Sequence, residues 1–132
     1  MGLFKPIHPE KYNGNLSELI FKSGLEQKMM RYLDRSPNIL RWSYERLTVK
    51  YMDMTSDPPR VRNYYIDFVA HTKNGKQIWI EVKSSDEVKE PKKEKRIEYK
   101  TWVKNQCKWK SARLLAESKG CQFKIITEQE LN

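Results

Sequence analysis

Three side chains in the middle of the sequence have the types and spacing of a metal-dependent hydrolytic site. They are Asp67 on one strand-like segment, and Glu81 and Lys83 on the next. Because successive side chains of a strand alternate between its two faces, Glu81 and Lys83 share a face. If Asp67 lies opposite Glu81, two carboxylates and one ammonium converge on one point of a sheet.

The turn between the two segments predicts that register. The segments run from Val61 to Thr72 and from Lys76 to Ser84. A three-residue loop, Lys73-Asn74-Gly75 with Gly75 left-handed, sets Asp67 opposite Glu81, whereas a two-residue loop mixes apolar and charged side chains on each face. The three-residue register predicts an apolar face of Ile66, Phe68, Ala70, Ile78, Ile80 and Val82. The opposite face then carries Tyr65, Asp67, Val69, Trp79, Glu81 and Lys83.

Such a cluster can bind a divalent ion. Directly opposed carboxylates repel each other, and Mg²⁺ or Mn²⁺ prefers oxygen ligands and keeps positions open for water and phosphate. The expected ligands are Asp67, Glu81 and the Val82 carbonyl, with Lys83 orienting the attacking water or neutralising charge on the phosphate. Cross-strand ion pairs on a surface hairpin explain the same three residues equally well, so spacing alone leaves both interpretations open.

The remaining pattern predicts one α/β domain covering residues 1–132, with a mixed central sheet flanked by helices. Residues 1–15 are expected to form an irregular N-terminal arm. The expected elements in order are a helix from Ser23 to Asp34, strands Ile39–Tyr44 and Leu47–Met52, the hairpin, a long helix from Lys93 to Lys119 ended by Gly120, a strand Gln122–Thr127, and a last turn to Leu131.

The composition favours a polyanionic partner. Lys and Arg number 26 against 17 Asp and Glu, a formal net charge of +9. Lysines of the long helix, with Lys104, Lys108 and Lys110 as candidates, could reach DNA phosphates without reading sequence, although many such runs are only solvated helix faces. The sequence shows no apolar membrane span or signal peptide, which predicts a cytoplasmic protein with free Cys107 and Cys121.

The hairpin resembles a known catalytic element. The segment NYYIDFVAHTKNGKQIWIEVKSS is similar to that of PD-(D/E)XK nucleases, in which two acids bind metal and a lysine assists the attacking water. Here Ile66 stands where a proline often precedes the first acid. FKSGLE resembles the first-helix motif of the TnsA-like endonuclease subset, which implies that Glu26 is a further acidic site residue.

Other motifs resemble, in order, the head-completion nucleases of large contractile-tailed phages: KYNGN, SPNILRWSYE and FKIITEQEL. The resemblance implies a restriction-endonuclease-like fold and a Mg²⁺-dependent endodeoxyribonuclease that processes DNA ends or branched DNA. Its setting would be the host cytoplasm or the virion, beside capsid or neck proteins. A noncatalytic DNA-end-binding or capsid-plug protein, and a TnsA-like or junction-resolving nuclease, are the alternatives. The resemblance gives Glu45 no role.

Glu26 also has a purely structural interpretation. Ser23-Gly24-Leu25-Glu26 fits a capping box, in which Ser23 caps the helix and Glu26 reaches back to the Ser23 backbone N–H. Spacing favours the cap, and the resemblance favours a role at the active site.

Overall fold

A four-stranded sheet between two helices organises the chain in a computed structural model that describes residues 1–131. None of the helices within that range is long and apolar enough to cross a membrane. The elements in chain order are β1 Gly2–Leu3, β2 Ile20–Phe21, α1 Gly24–Arg35, β3 Ile39–Asp53, β4 Arg60–Thr72, β5 Gln77–Val82, α2 Ser85–Val88, α3 Arg96–Ser118, β6 Gln122–Ile126 and α4 Glu128–Leu131.

The main sheet has the order β3-β4-β5-β6, with β6 parallel to β5 and the other pairs antiparallel. This confirms the predicted α/β architecture with a mixed sheet. The arm is more ordered than expected, because β1 pairs with β2. It is tied down by Asp34, whose carboxylate accepts the backbone N–H groups of Ile7 and His8 at 2.8 and 2.9 Å.

The β4–β5 hairpin has the predicted register. Phe68 pairs with Ile80 and Ala70 with Ile78. The loop contains three residues, since the Thr72 amide bonds to the Lys76 carbonyl. Gly75 has φ 82°, the left-handed conformation that a residue with a side chain adopts only with strain. Continuing this register sets Asp67 opposite Glu81.

Each face of the sheet is covered by one helix. On the first face, Met29, Met30 and Leu33 of α1 pack with Phe68, Ala70, Ile80 and Val82. On the second face, Trp109, Ala112 and Ala116 of α3 pack with Val49, Tyr51, Tyr64, Val69 and Trp79. The small side chains of Ala112 and Ala116 let α3 lie close to the strands. Gly120, at φ 71°, ends the helix region as predicted.

A β-bulge corrects two parts of the sequence interpretation. The segments 39–44 and 47–52 are not separate strands but one strand, β3, whose pairing with β4 shifts between Tyr44 and Leu47. Glu45 and Arg46 therefore stand opposite one residue, Asp67, and Glu45 has a left-handed φ of 54°. A bulge bends a strand and increases its local twist, so side chains beyond it need not lie on the faces that strict alternation predicts.

The change of direction affects β4 as well. Ile66 was expected beside Phe68 but packs in the α3 cluster with Tyr64. Tyr65, expected on the face of Asp67 and Glu81, is 55% exposed, and Tyr64 is buried in its place. Strict alternation fails here because the strand pair is interrupted at Asp67.

At the far end of β3, a buried carboxylate connects three elements. Asp53 is fully buried and accepts from the Thr55 backbone at 2.9 Å and from Arg62 Nε at 2.7 Å, with Lys104 Nζ of α3 at 3.6 Å. Hydrogen bonds from Thr55 hold the pKa of Asp53 well below its usual range, helped by Arg62 and Lys104. The native state therefore gains stability from this group above its unfolded pKa and loses it as the pH falls.

Asp53→Ala should lower the free energy of unfolding at pH 7 by about 2 to 3 kcal/mol, because it leaves Arg62 and the Thr55 amide without their acceptor. Urea titration followed by circular dichroism measures the loss. Lys104→Ala is the control. It removes only the longest contact and should cost less than about 1 kcal/mol. Equal losses in the two variants would show that Asp53 acts only through Lys104.

Candidate active site

A cleft opens where β4 and β5 separate, at the carboxyl end of β5. Its volume is about 430 Å³. Its walls come from the start of α1, the ends of the two strands and the turn into α2. The lining residues are Ser23, Leu25, Glu26, Asp67, Glu81, Val82, Lys83, Ser84 and Glu87. The structure thus brings Glu26, Asp67, Glu81, Val82 and Lys83, the five residues predicted for catalysis and metal binding, to one cavity.

Within the cleft, the Asp67 side chain takes the place of a backbone hydrogen-bond acceptor between β4 and β5. Its Oδ2 accepts the Val82 backbone N–H at 2.9 Å, where the pairing of β4 with β5 ends. Its carboxyl group also hydrogen bonds to Glu81. Burial raises the pKa of Asp67 strongly, and the hydrogen bond and charge of Glu81 raise it further. The shift, to a pKa of about 10, favours a protonated Asp67 carboxyl at neutral pH when no cation is bound.

Glu81 is held from the α3 face of the sheet. Tyr64 OH donates to its Oε2 at 2.6 Å, and Trp109 Nε1 donates to the same oxygen at 3.0 Å. Burial and the neighbouring Glu81 charge raise the pKa of Tyr64, which keeps its hydroxyl protonated as a donor. These bonds fix the orientation of a buried acid, as outer partners do for metal-ligating carboxylates.

Sequence reasoning missed both donors to Glu81. Tyr64 was overlooked because strict alternation placed Tyr65 on the site face. Trp109 lies in the core at 3% exposure, 28 residues from Glu81 in the sequence. The available signal was chemical, since the indole N–H of a buried tryptophan needs an acceptor.

Glu26 makes contacts at the start of α1 and also lines the cleft. Ser23 Oγ accepts the Glu26 N–H at 3.1 Å, so Ser23 is the helix cap. The Glu26 carboxylate reaches back to the Lys22 N–H at 2.7 Å, one residue earlier than in a standard capping box. The same oxygen accepts from Tyr44 OH at 3.0 Å. These bonds hold the carboxylate at the edge of the cleft.

Lys83 lines the cleft, and Lys22 directly precedes the lining residue Ser23 in the sequence. Lys83 Nζ lies 3.6 Å from Glu87 Oε2, an exposed contact that leaves the ammonium other donors. Lys22 Nζ lies 2.8 Å from Glu45 Oε1. The ion pair accounts for Glu45, to which the sequence motif gave no role.

Asp67 and Glu81 have the chemistry of an Mg²⁺ or Mn²⁺ site. Within residues 1–131, no three His, Cys, Asp or Glu side chains form a metal-binding group. The two acids and the Val82 carbonyl could therefore supply part of a coordination shell, with water and substrate supplying the rest, as is usual for Mg²⁺. A buried acid pair that otherwise retains a proton fits such an ion.

The three predicted DNA-binding lysines lie outside the cleft lining. Lys104 is paired with Asp53. Lys108 is half-buried over the rings of Tyr51 and Tyr64, at 5.9 and 5.6 Å, and burial lowers its pKa. Lys110 is exposed. Two of these lysines thus contribute contacts to the fold itself.

Comparison with known proteins identifies the family. The model for the TnsA-like endonuclease N-terminal domain matches residues 36–128. This chain belongs to the TnsA-like endonuclease family. The match includes Asp67, Glu81 and Lys83 and leaves Glu26 outside. It confirms the nuclease resemblance that the hairpin motifs predicted.

A curated relative supports the assignment over nearly the full length. The chain is 31% identical to the head completion nuclease of Enterobacteria phage T4 over 140 residues, covering 98% of this chain and 92% of the relative. No solved structure matches.

The raised pKa of Asp67 predicts how metal and pH act on stability. The folded state binds a proton that the unfolded chain releases near pH 4, so metal-free stability should fall as pH rises from there toward the folded pKa. Mg²⁺ should restore stability increasingly toward pH 8, because it replaces the proton. Thermal melting with Mg²⁺ or EDTA at several pH values measures this. Asp67→Asn should abolish both trends, and a trend that persists in Asp67→Asn would belong to another group.

Glu26→Gln should reduce nuclease activity by about 10- to 100-fold, the scale for groups that support a metal site. Melting should change little, because the amide oxygen can still accept from Lys22 and Tyr44. Ser23→Ala is the control, expected to cost about 1 kcal/mol of stability without changing the activity of folded molecules. Full activity in Glu26→Gln would reduce Glu26 to a helix cap.

Proposed function

We propose that this protein is an Mg²⁺-dependent endodeoxyribonuclease that hydrolyses phosphodiester bonds at DNA ends or branches during completion of phage heads. The observation that carries the proposal is the pair of buried Glu81 and partly buried Asp67, held at a cleft that also contains Lys83. Structural ion pairs on a surface hairpin, the alternative interpretation, do not need a buried acid, Glu81, beside a second acid, Asp67. The head-completion setting follows from the name of the phage T4 relative.

The residues divide the chemistry between them. Asp67, Glu81 and the Val82 carbonyl would hold Mg²⁺ or Mn²⁺, which supplies an acidified water and polarises the phosphate. Tyr64 and Trp109 keep Glu81 oriented, and the Val82 N–H does the same for Asp67. Lys83 orients the attacking water or stabilises charge that develops on the phosphate. Glu26 closes the cleft from α1.

The net charge of +9 suits DNA as the substrate. Lys104, Lys108 and Lys110 would add phosphate contacts on the α3 side that do not depend on base sequence. The reaction would take place in the host cytoplasm or on the particle, where capsid or neck proteins are the proposed partners. A noncatalytic DNA plug remains the alternative that experiment must separate.

Lys83→Ala tests catalysis. It should leave Mg²⁺ and DNA binding in place while lowering the cleavage rate by about 10²-fold or more, the usual scale for one such group. The control is Lys89→Ala, which removes an exposed lysine of the same segment, paired with Asp86 at 4.0 Å, and should cleave normally.

Asp67→Ala should also stop cleavage, but through loss of Mg²⁺ affinity, so excess metal should rescue it partly and should not rescue Lys83→Ala. Rates on linear, circular and branched DNA with Mg²⁺ or EDTA give the comparison. A wild-type protein that cleaves none of these DNAs with any divalent ion would support the plug.

A further inference from the structure

Beyond the cleft, β3 and β4 continue as a ribbon without a third strand. β4 pairs with β5 from His71 only as far as Phe68, whereas its pairing with β3 runs to Asp53 and Arg60. We call residues 47–53 and 60–66 the β3–β4 ribbon. One face of the ribbon is buried against α3 through Val49, Tyr51 and Tyr64.

The other face of the ribbon is uncovered. Its cross-strand pairs alternate with those that contact α3 and are exposed throughout: Thr48 with Tyr65, Lys50 with Asn63, and Met52 with Val61. Tyr65, Met52 and Val61 are 55%, 45% and 59% exposed. None of the six is acidic, and the neighbouring bulge residue Arg46 is exposed and basic.

We infer that this uncovered face binds double-stranded DNA, along a duplex arm that leaves the cleft. The inference rests on the proposed action on DNA and names the part of the substrate that the ribbon recognises. Lys50 and Arg46 would contact phosphates, while Asn63, Thr48 and the Tyr65 hydroxyl supply further hydrogen-bond donors. Lys50 Nζ bonds to Asn63 at 3.2 Å and keeps donors for a phosphate.

Position and shape favour a duplex over a protein partner. The first exposed pair on the free face of the ribbon, Thr48 with Tyr65, lies two residues along β4 from Asp67, so this face begins close to the site. Seven residues of strand extend about 20 Å, which matches roughly six base pairs of DNA. A two-stranded antiparallel ribbon fits the major groove, and apolar side chains such as Met52 and Val61 are tolerated there. A single strand offers no such groove.

The test is a charge reversal with a matched control at the opposite edge of the sheet. Lys50→Glu on β3 is compared with Lys124→Glu on β6, an exposed lysine on the other edge strand. Binding to a duplex of roughly 20 base pairs is measured by fluorescence anisotropy in EDTA over a range of salt concentrations. Measurement in EDTA makes the result independent of cleavage, so failure of the proposed nuclease activity would be seen separately.

Lys50→Glu should weaken duplex binding about tenfold and reduce the salt slope by about 1, whereas Lys124→Glu should stay within about twofold of wild type. The penalty should be much smaller on a single strand of equal length. Unchanged melting temperatures exclude misfolding as the cause. Equal duplex affinities for the two variants would overturn the inference. A second result would also overturn it: a wild-type protein that self-associates, and a Met52→Asp variant that no longer does so but binds DNA unchanged. That result would assign the free face of the ribbon to protein contact.

Discussion

The hydrogen bond from the Val82 amide to the Asp67 carboxylate is the interaction on which the site depends. A regular antiparallel pair would bond backbone to backbone here, and a side chain takes that place instead. The bond holds one acid against a second, Glu81, inside the protein. Because two adjacent carboxylates, one buried and one partly buried, do not readily ionise together, the pair favours a proton or a cation. The place where β4 and β5 stop pairing therefore determines where a proton or a cation can bind in the cleft.

The surroundings of the pair serve to support that arrangement. Tyr64 and Trp109 both donate to one oxygen of Glu81, which satisfies a buried acceptor and fixes its direction. The bulge at Glu45 and Arg46, directly across from Asp67, is what brings Tyr64 under the site instead of Tyr65. Lys22 in turn pairs with Glu45 close to the start of α1. The bulge therefore links the position of α1, and with it Glu26, to the geometry of the acid pair.

The same interruption divides the sheet into two structurally different parts. On the β5 side of Asp67, residues 68–72 of β4 lie in the part of the sheet that is covered on both faces. On the other side, the β3–β4 ribbon is covered only by α3, and one of its faces is open to solvent. The basic side chains differ between these parts. Lys104 pairs with Asp53, and Lys108 lies over the rings of Tyr51 and Tyr64, so both contribute to the packing of α3. Lys50 and Arg46 of β3 are instead exposed to solvent.

The sequence by itself determined the elements whose causes are local. The loop around Gly75 set the hairpin register, the apolar period of α1 and its Ser23 cap set that helix, and alternation put Glu81 and Lys83 together. Only the tertiary structure decided which β4 residues face the site, because the bulge lies in β3 and acts across the sheet on its partner. The donors Tyr64 and Trp109 are 17 and 28 residues from Glu81. Contacts over such separations follow from the packing of α3 against the strands, which no local pattern in the sequence encodes.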